Sequence, residues 1–263
     1  MDELWLPEEI KDLTAHRRFT AEGIGMSAAR VLLSEDQVLK IQPQGPDAQR
    51  ELTMLRWLEG RLPVPRVLAH RIERGRSYCL MTRLPGRMAC SEDLLARPAW
   101  LLDRLAEALR MIWSVDPAGC PVICSPEAEL ALARERVEKG LVNAENTEPA
   151  TFGPGGFRDP EALLAWLEDN MPPRETVVTH GDFCLPNVFL TESGVAGFLD
   201  LGRAGLGDLW RDASLCRRSL RHNTDGSYGV VIPGFDPDGL FDALGLKPDK
   251  ERLRWYLLLD ELF

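Results

Sequence analysis

No apolar run in the chain approaches the ~18 residues that a membrane-crossing helix needs, so neither a span nor a membrane partner is expected. The opening MDELWLPEEIKDL is acidic and amphipathic. It lacks a basic stretch leading into an apolar one, so no signal peptide is expected there. Six cysteines (positions 79, 90, 120, 124, 184 and 216) include no CxxC pair, and four histidines are scattered, which excludes a zinc-binding spacing. Reduced thiols in a cytoplasmic protein are the expectation. No G-x-x-x-x-G-K-[ST] occurs, so the P-loop nucleotide enzymes are excluded. Internal repeats and low-complexity tracts are also missing. A net charge of −10 argues against nucleic acid as a partner.

The 263 residues, 44% of them hydrophobic, are enough for one large domain or two lobes. The charge is unevenly spread. Residues 1–84 carry 13 basic and 12 acidic side chains, whereas residues 85–263 carry 18 and 29. The acidic excess lies wholly in the later part, which suits either a solubilising surface or a cationic ligand. A short amphipathic helix is expected over 4–16 and strands from about 17 to 42. A helix follows over 47–60, then two strands around the turn RGRS. LPGRM at 84–88 breaks the pattern and marks a boundary between a nucleotide-binding lobe, 1–84, and a helical lobe, 85–263, with a connector at about 82–86. Helices are expected over 98–115, 126–141, 160–170, 208–222, 236–245 and 249–262, and a hairpin-like stretch over 176–200. The expected class is α+β and bilobal: an antiparallel sheet with one main helix, then a larger, mostly helical lobe.

The hairpin-like stretch holds the chemistry. VVTHGDFCLPNVFL interrupts two β-branched-rich runs with His180, Asp182 and Asn187, and the D-x-x-x-x-N spacing is that of a kinase catalytic loop. Thirteen residues further on, GFLDLGR places Asp200 after an apolar strand and before a glycine, where a kinase holds its metal. Magnesium at a triphosphate takes hard oxygen ligands from one or two protein groups, and Asn187 and Asp200 are of the kind that can supply them. An ordinary aspartate is a weak base for an alcohol. In a loose transition state, however, Asp182 can act chiefly by holding the hydroxyl in line. Singly, such residues are turn formers; three at this spacing favour catalysis. His180 is as well explained by a structural role behind the loop.

Upstream partners fit the same scheme. Lys40 in VLKIQ sits on an expected strand and Glu51 in QRELTML on the following helix, the order of a kinase's phosphate-gripping lysine and its glutamate. EGIGMSAARV offers a glycine-containing turn whose backbone N–H groups, with Ser27, can meet phosphate. It is not a full G-x-G-x-x-G.

In this order the pieces resemble the aminoglycoside 3′-phosphotransferases, the kanamycin and neomycin kinases, within the protein-kinase-like fold. The resemblance runs from Glu22 to Phe263 and rests on EGIGMSAARV, WLEGRLPVPRVL, THGDFCLPN, GFLDLGRAGLGD and the ending LLLDELF. It implies Asp182 as the catalytic aspartate, Asn187 and Asp200 on magnesium, and Lys40 on the phosphates of ATP, with GTP the alternative. It also implies Glu51 on the lysine and Gly25, Met26 and Ser27 over the β-phosphate. Adenine would meet the backbone of Thr82–Leu84, between apolar walls from Met81, Leu39 and Leu199. The aminoglycoside would be held by Asp260, Glu261, the terminal carboxylate of Phe263, Arg203, and acids of the 145–161 segment, Glu145, Glu148 and Glu161. An aromatic that some members stack on adenine is replaced by Val38, and an acidic contact of some members by Leu185. A monomer or weak dimer is expected.

A protein kinase is the first rival, but it carries Arg where Gly181 stands, and only LGRAGLG separates Asp200 from Asp208, too little for a peptide platform. A kinase of choline, homoserine or a macrolide is the second, opposed by LLDELF. A nucleotide-binding module without catalysis is opposed by the intact Lys40, Asp182, Asn187 and Asp200.

Overall fold

The computed structural model describes residues 5–21 and 29–263, apart from the side chain of residue 146. A short helix α1 (Glu8–Thr14) precedes a five-stranded antiparallel sheet. Its strands are β1 (Thr20–Ala21), β2 (Arg30–Leu33), β3 (Gln37–Pro43), β4 (Val67–Glu73) and β5 (Arg76–Thr82), in the order β1-β2-β3-β5-β4, with helix α2 (Pro46–Leu58) between β3 and β4. Strand alternation splits β3 between two apolar clusters. Leu39 and Ile41 pack with Ile10, Leu32, Tyr78 and Leu80 on the α1 side. Val38 packs with Leu52, Cys79 and Met81 on the α2 side. Ala48, Glu51, Leu52, Leu55 and Leu58 repeat at helical spacing and form the buried stripe of α2.

Beyond the sheet the chain is mostly helical. It contains β6 (Arg87–Met88), α3 (Glu92–Leu95), α4 (Pro98–Trp113), α5 (Pro126–Glu138), α6 (Pro160–Asp169), β7 (Thr176–Thr179), β8 (Val188–Thr191), β9 (Gly194–Phe198) and β10 (Gly205–Asp208). It closes with α7 (Leu209–Thr224), α8 (Gly239–Leu244) and α9 (Lys250–Asp260). One core joins the two parts: Met54, Leu55 and Leu58 of α2 meet Leu101, Leu105 and Leu109 of α4 and the apolar residues of 178–201. A second, around Trp210, Phe241, Trp255 and Leu259, packs α5, α6, α7 and α9 together. Among the described residues no helix is long and apolar enough to cross a membrane.

The hairpin-like reading of 176–200 is corrected. The two apolar runs flanking the polar residues belong to different sheets. β7 pairs with β10, and β8 pairs with β6 and β9. The segment 180–187 is therefore the crossing between sheets, where no ladder demands β-formers. Several helices are also shorter than expected. The first begins only at Glu8, after Pro7, and α5 stops at Glu138, just before Lys139 and Gly140 (φ 62°) close the turn. β6, α3 and β10 were not foreseen.

Candidate active site

A cavity of about 1160 Å³ opens between the sheet and the helical part and is lined by residues of both. On its sheet side Lys40 projects from the α2 face of β3. Its Nζ lies 2.7 Å from Glu51 Oε1 and 2.5 Å from Asp200 Oδ1. Glu51 is buried, and its other oxygen accepts from Gln42 Nε2 at 2.9 Å. Burial opposes the Lys40 ammonium, but the charges of Glu51 and Asp200 outweigh it and lift its pKa above the ordinary lysine range. Asp200 itself sits at φ 52°, ψ 57°, a left-handed conformation that costs a non-glycine residue about 1 kcal/mol or more. This turn aims an otherwise half-exposed carboxylate at Lys40 across the cavity.

The crossing segment answers why a polar trio interrupts two apolar runs. It turns tightly about Phe183, where Cys184 N–H donates to Asp182 O at 2.8 Å, and burial alternates along it: Phe183 and Leu185 are fully buried, while Asp182, Cys184 and then Pro186 line the cavity. Buried phenylalanine and leucine thus anchor the loop while the residues between them face the ligand space. Asp212, fully buried on α7, accepts from the backbone N–H groups of His180 at 2.9 Å and Gly181 at 2.8 Å. Burial raises the pKa of this carboxyl. The Ser219 hydroxyl accepts from Leu185 N–H at 2.9 Å. His180 is wedged between Phe183 and Phe198 with its Nε2 2.9 Å from Leu199 O and its Nδ1 3.3 Å from Asp182 N. An Nδ1 that accepts and an Nε2 that donates define the neutral Nε2–H tautomer, assigned from this network. The ring ties the Asp182 loop to the strand that delivers Asp200. Gly181, at φ 78°, is obligatory, because a Cβ there would lie 1.9 Å from Arg203 O. The arginine that a protein kinase carries at this point has no room.

Within the loop Asn187 Nδ2 donates to Asp182 O at 3.0 Å and Oδ2 at 3.1 Å, and the Cys184 thiol donates to Asp182 Oδ1 at 3.2 Å. Burial, then the Asp182 charge, pushes the Cys184 thiol well above its usual range, so it stays a protonated donor. With its amide nitrogen engaged on Asp182, Asn187 has its amide oxygen left over. That oxygen and Asp200 form a hard, low-charge donor set of the kind magnesium takes when phosphates and water complete its shell. Among the described residues no group of three or more His, Cys, Asp or Glu side chains is placed to hold a metal.

The apolar end of the cavity is walled by Val31, Leu33, Val38, Pro65, Met81 and Leu199. Leu39 is a correction. It is 1% exposed on the opposite face of β3, and Val38 lines the cavity in its place. In the connector, Thr82 N–H is committed to Arg66 O and Arg83 N–H to Asp36 O. Leu84 is then the donor left to the cavity among the described residues. Gly25, Met26 and Ser27 lie outside the described residues.

The far end is charged. Asp260 pairs with Arg203 at 2.7 Å and with Arg218, and Glu261 accepts from Glu148 N–H at 2.7 Å and pairs with Arg218 at 3.4 Å. Burial opposes the Asp260 charge, but Arg203 and Arg218 prevail and hold its pKa down at about 2. Phe263 O accepts from Arg136 at 2.7 Å, and the Arg203 guanidinium lies 4.5 Å from the Phe263 ring centre. Of the three acids expected from 145–161, Glu148 lines the cavity, whereas Glu145 and Glu161 are exposed and outside it. Glu145 stands on a short 3-10 turn and Glu161 in the first turn of α6, both facing solvent. Sequence reasoning missed Arg218, His222, Asn223 and Tyr228, all lining this end, and the buried Asp212. For Asp212 a signal existed: an acid on the apolar face of a helix.

The chain is similar to known proteins over nearly its whole length. A model of the phosphotransferase enzyme family matches residues 20–256. An aminoglycoside 3′-phosphotransferase of Enterococcus faecalis is 35% identical over 276 aligned positions, covering 100% of both chains. Among solved structures, an aminoglycoside 3′-phosphotransferase of type VIII superimposes with a TM-score of 0.79 at 26% identity, covering 97% of each chain. Aminoglycoside phosphotransferase APH(3″)-Id of Streptomyces rimosus, solved also with ADP and streptomycin, gives 0.76 at 27% identity over 98% of this chain and 99% of its own. These likenesses include kinases acting at two different hydroxyls. The chain belongs to the phosphotransferase enzyme family, in the protein-kinase-like fold, and is an enzyme of phosphoryl transfer.

Proposed function

We propose that this phosphotransferase moves the γ-phosphoryl group of ATP to the 3′-hydroxyl of aminoglycosides and so protects a host from them. The observation that carries the reading is one cavity holding Lys40 and Asp200 near its apolar slot, Asp182 and Asn187 at its middle, and Glu148, Asp260 and Glu261 at its far end. Adenine fills the slot of Val31, Val38, Met81 and Leu199 and meets the Leu84 N–H. Lys40, fixed by Glu51, takes the phosphates and gives up its contact with Asp200 as they arrive. Asn187 and Asp200 hold magnesium, which when bound neutralises charge on the phosphates. Asp182, its carboxylate oriented by Asn187 and Cys184, accepts the hydrogen bond of the sugar hydroxyl and points its oxygen at the phosphorus. One bond forms, from the sugar oxygen to the γ-phosphorus, and one breaks, from that phosphorus to the bridging oxygen of ADP. The hydroxyl proton passes to Asp182, and no covalent enzyme intermediate is needed. Residues 1–84 serve as the nucleotide lobe and 85–263 as the substrate lobe.

Transfer to a 3″-hydroxyl is the rival, since one structural likeness is to a 3″ enzyme. Incubation with ATP, magnesium, and kanamycin or neomycin beside their 3′-deoxy relatives tests both. Turnover of the parents alone is expected, and equal turnover of the 3′-deoxy compounds overturns the 3′ assignment. Asp182→Asn should lower kcat by about 10³-fold while nucleotide affinity stays within about twofold; retained turnover would remove Asp182 from the chemistry.

A further inference from the structure

The far end of the cavity contains acids that are already engaged, and Glu148 is held at the most exposed of these pairs. Its two oxygens accept from Arg221 Nη2 at 2.9 and 2.8 Å, and Oε1 lies 2.8 Å from His222 Nε2. The two partners touch each other, with Arg221 Nη2 2.7 Å from His222 Nε2, yet they line different cavities. His222, set edge-on against Tyr228 at 5.6 Å, lines the active cavity. Arg221 lines a second cavity of about 580 Å³ on the other side of Glu148, together with Arg217, Lys250 and Arg254. Glu148, Arg218 and Glu261 line both cavities and so form the partition.

We infer that Arg221 is a built-in competitor of the substrate's ammonium groups at Glu148, and that this competition sets which amino sugars bind well. The inference rests on the reading of the cavity as an aminoglycoside site. An incoming ammonium reaches Glu148 only by displacing a cation already there, whereas a sugar hydroxyl at the same place has no charge with which to displace it. The second cavity gives Arg221 somewhere to swing. Arg217, Lys250 and Arg254 also line that space, and the one carboxylate there outside the partition, Asp238, is already held by Arg217, so the move adds a cation to a basic pocket and works against release. Arg221 and Glu148 are 40% and 31% exposed, so the grip is a surface-type pair, weak enough to exchange.

The test uses the whole enzyme with ATP, magnesium and a polyamine aminoglycoside. Arg221→Gln should lower KM for the aminoglycoside by about threefold to tenfold, with KM for ATP moving less than about twofold. Glu148→Gln should raise the aminoglycoside KM, and Arg221→Gln in the Glu148→Gln background should bring no gain. Because the expected change is tighter binding, a damaged fold cannot imitate it. An unchanged or raised KM in Arg221→Gln overturns the inference, as does a gain that survives without Glu148. If the wild type forms no ADP in response to any aminoglycoside, the substrate reading falls and takes this inference with it. A working wild type with an unresponsive Arg221→Gln removes the competitor alone.

Discussion

The two ends of the cavity use ion pairs with inverted polarity. At the phosphate end one cation, Lys40, is held between two carboxylates, Glu51 and Asp200. At the sugar end carboxylates are held by cations: Asp260 by Arg203 and Arg218, and Glu148 by Arg221, with His222 Nε2 beside it at 2.8 Å. Under the function and the exchange proposed above, each end receives a ligand of the sign of the group it displaces: phosphate takes the place of the Asp200 carboxylate on Lys40, and ammonium that of a guanidinium on Glu148. Charges left unpaired in a partly buried site are costly. Side chains that stand in for the ligands remove that cost and leave exchange as the binding event.

The comparison breaks most visibly if one end can be damaged without the other. Lys40→Met should lower kcat/KM for ATP by about 10²-fold or more, because it removes a fixed positive group from where phosphate charge develops. Arg218→Met should change the aminoglycoside KM by less than about tenfold and leave the ATP KM within about twofold, since Asp260 keeps Arg203. Equal loss of ATP use in both variants would show that the ends do not work separately.

The ends should also fail at opposite extremes of pH. Asp260 has a folded pKa of about 2 against an ordinary 3.8, so its stabilisation is complete above 3.8 and is lost as pH falls toward 2. That shift corresponds to about 2 kcal/mol of unfolding free energy. The folded pKa of Lys40 is raised above an ordinary 10.5, so its stabilisation is whole below 10.5 and lost only as pH climbs beyond. Urea unfolding between pH 4 and 2 should show a smaller fall for Asp260→Asn than for the wild type; an identical fall would discharge Asp260 from acid sensitivity.

What the sequence revealed divides along the same line. Asp182, Asn187 and Asp200 were legible because loop chemistry fixes their separation in the chain, and Lys40 and Glu51 because strand and helix follow in order. The face of β3 was legible as well: with Lys40 turned toward the phosphates, alternation puts Val38 on its side and Leu39 on the opposite, buried one, against the expectation for Leu39. The partner of β7 was hidden, for β-branched residues give a strand without naming its neighbour. The sugar end was least legible. Arg218, Arg221 and His222 read as the polar side of a helix until α7 is packed beside α9 and the 148 turn. Glu145 and Glu161 lie in the same acidic stretch as Glu148 and carry the same side chain; only the course of the chain separates them.

The smallest expected effect bears most directly on exchange. Ordinarily a polycation entering an empty acidic site neutralises carboxylates, and its affinity falls steeply as added salt screens them, the Debye length shrinking from about 10 Å at 0.1 M to about 3 Å at 1 M. When the arriving ammonium replaces a guanidinium at Glu148, one screened pair is broken for each one made, and most of the salt dependence cancels. The long-range field of an acidic chain of net charge −10 acts on wild type and variant alike. Aminoglycoside binding measured calorimetrically from about 0.05 to 0.5 M salt should therefore be steeper in Arg221→Gln than in the wild type, by about twofold to threefold in Kd over the range. Parallel slopes would mean that Arg221 stays on Glu148 when the sugar binds, and that the sugar end, unlike the phosphate end, is filled without exchange.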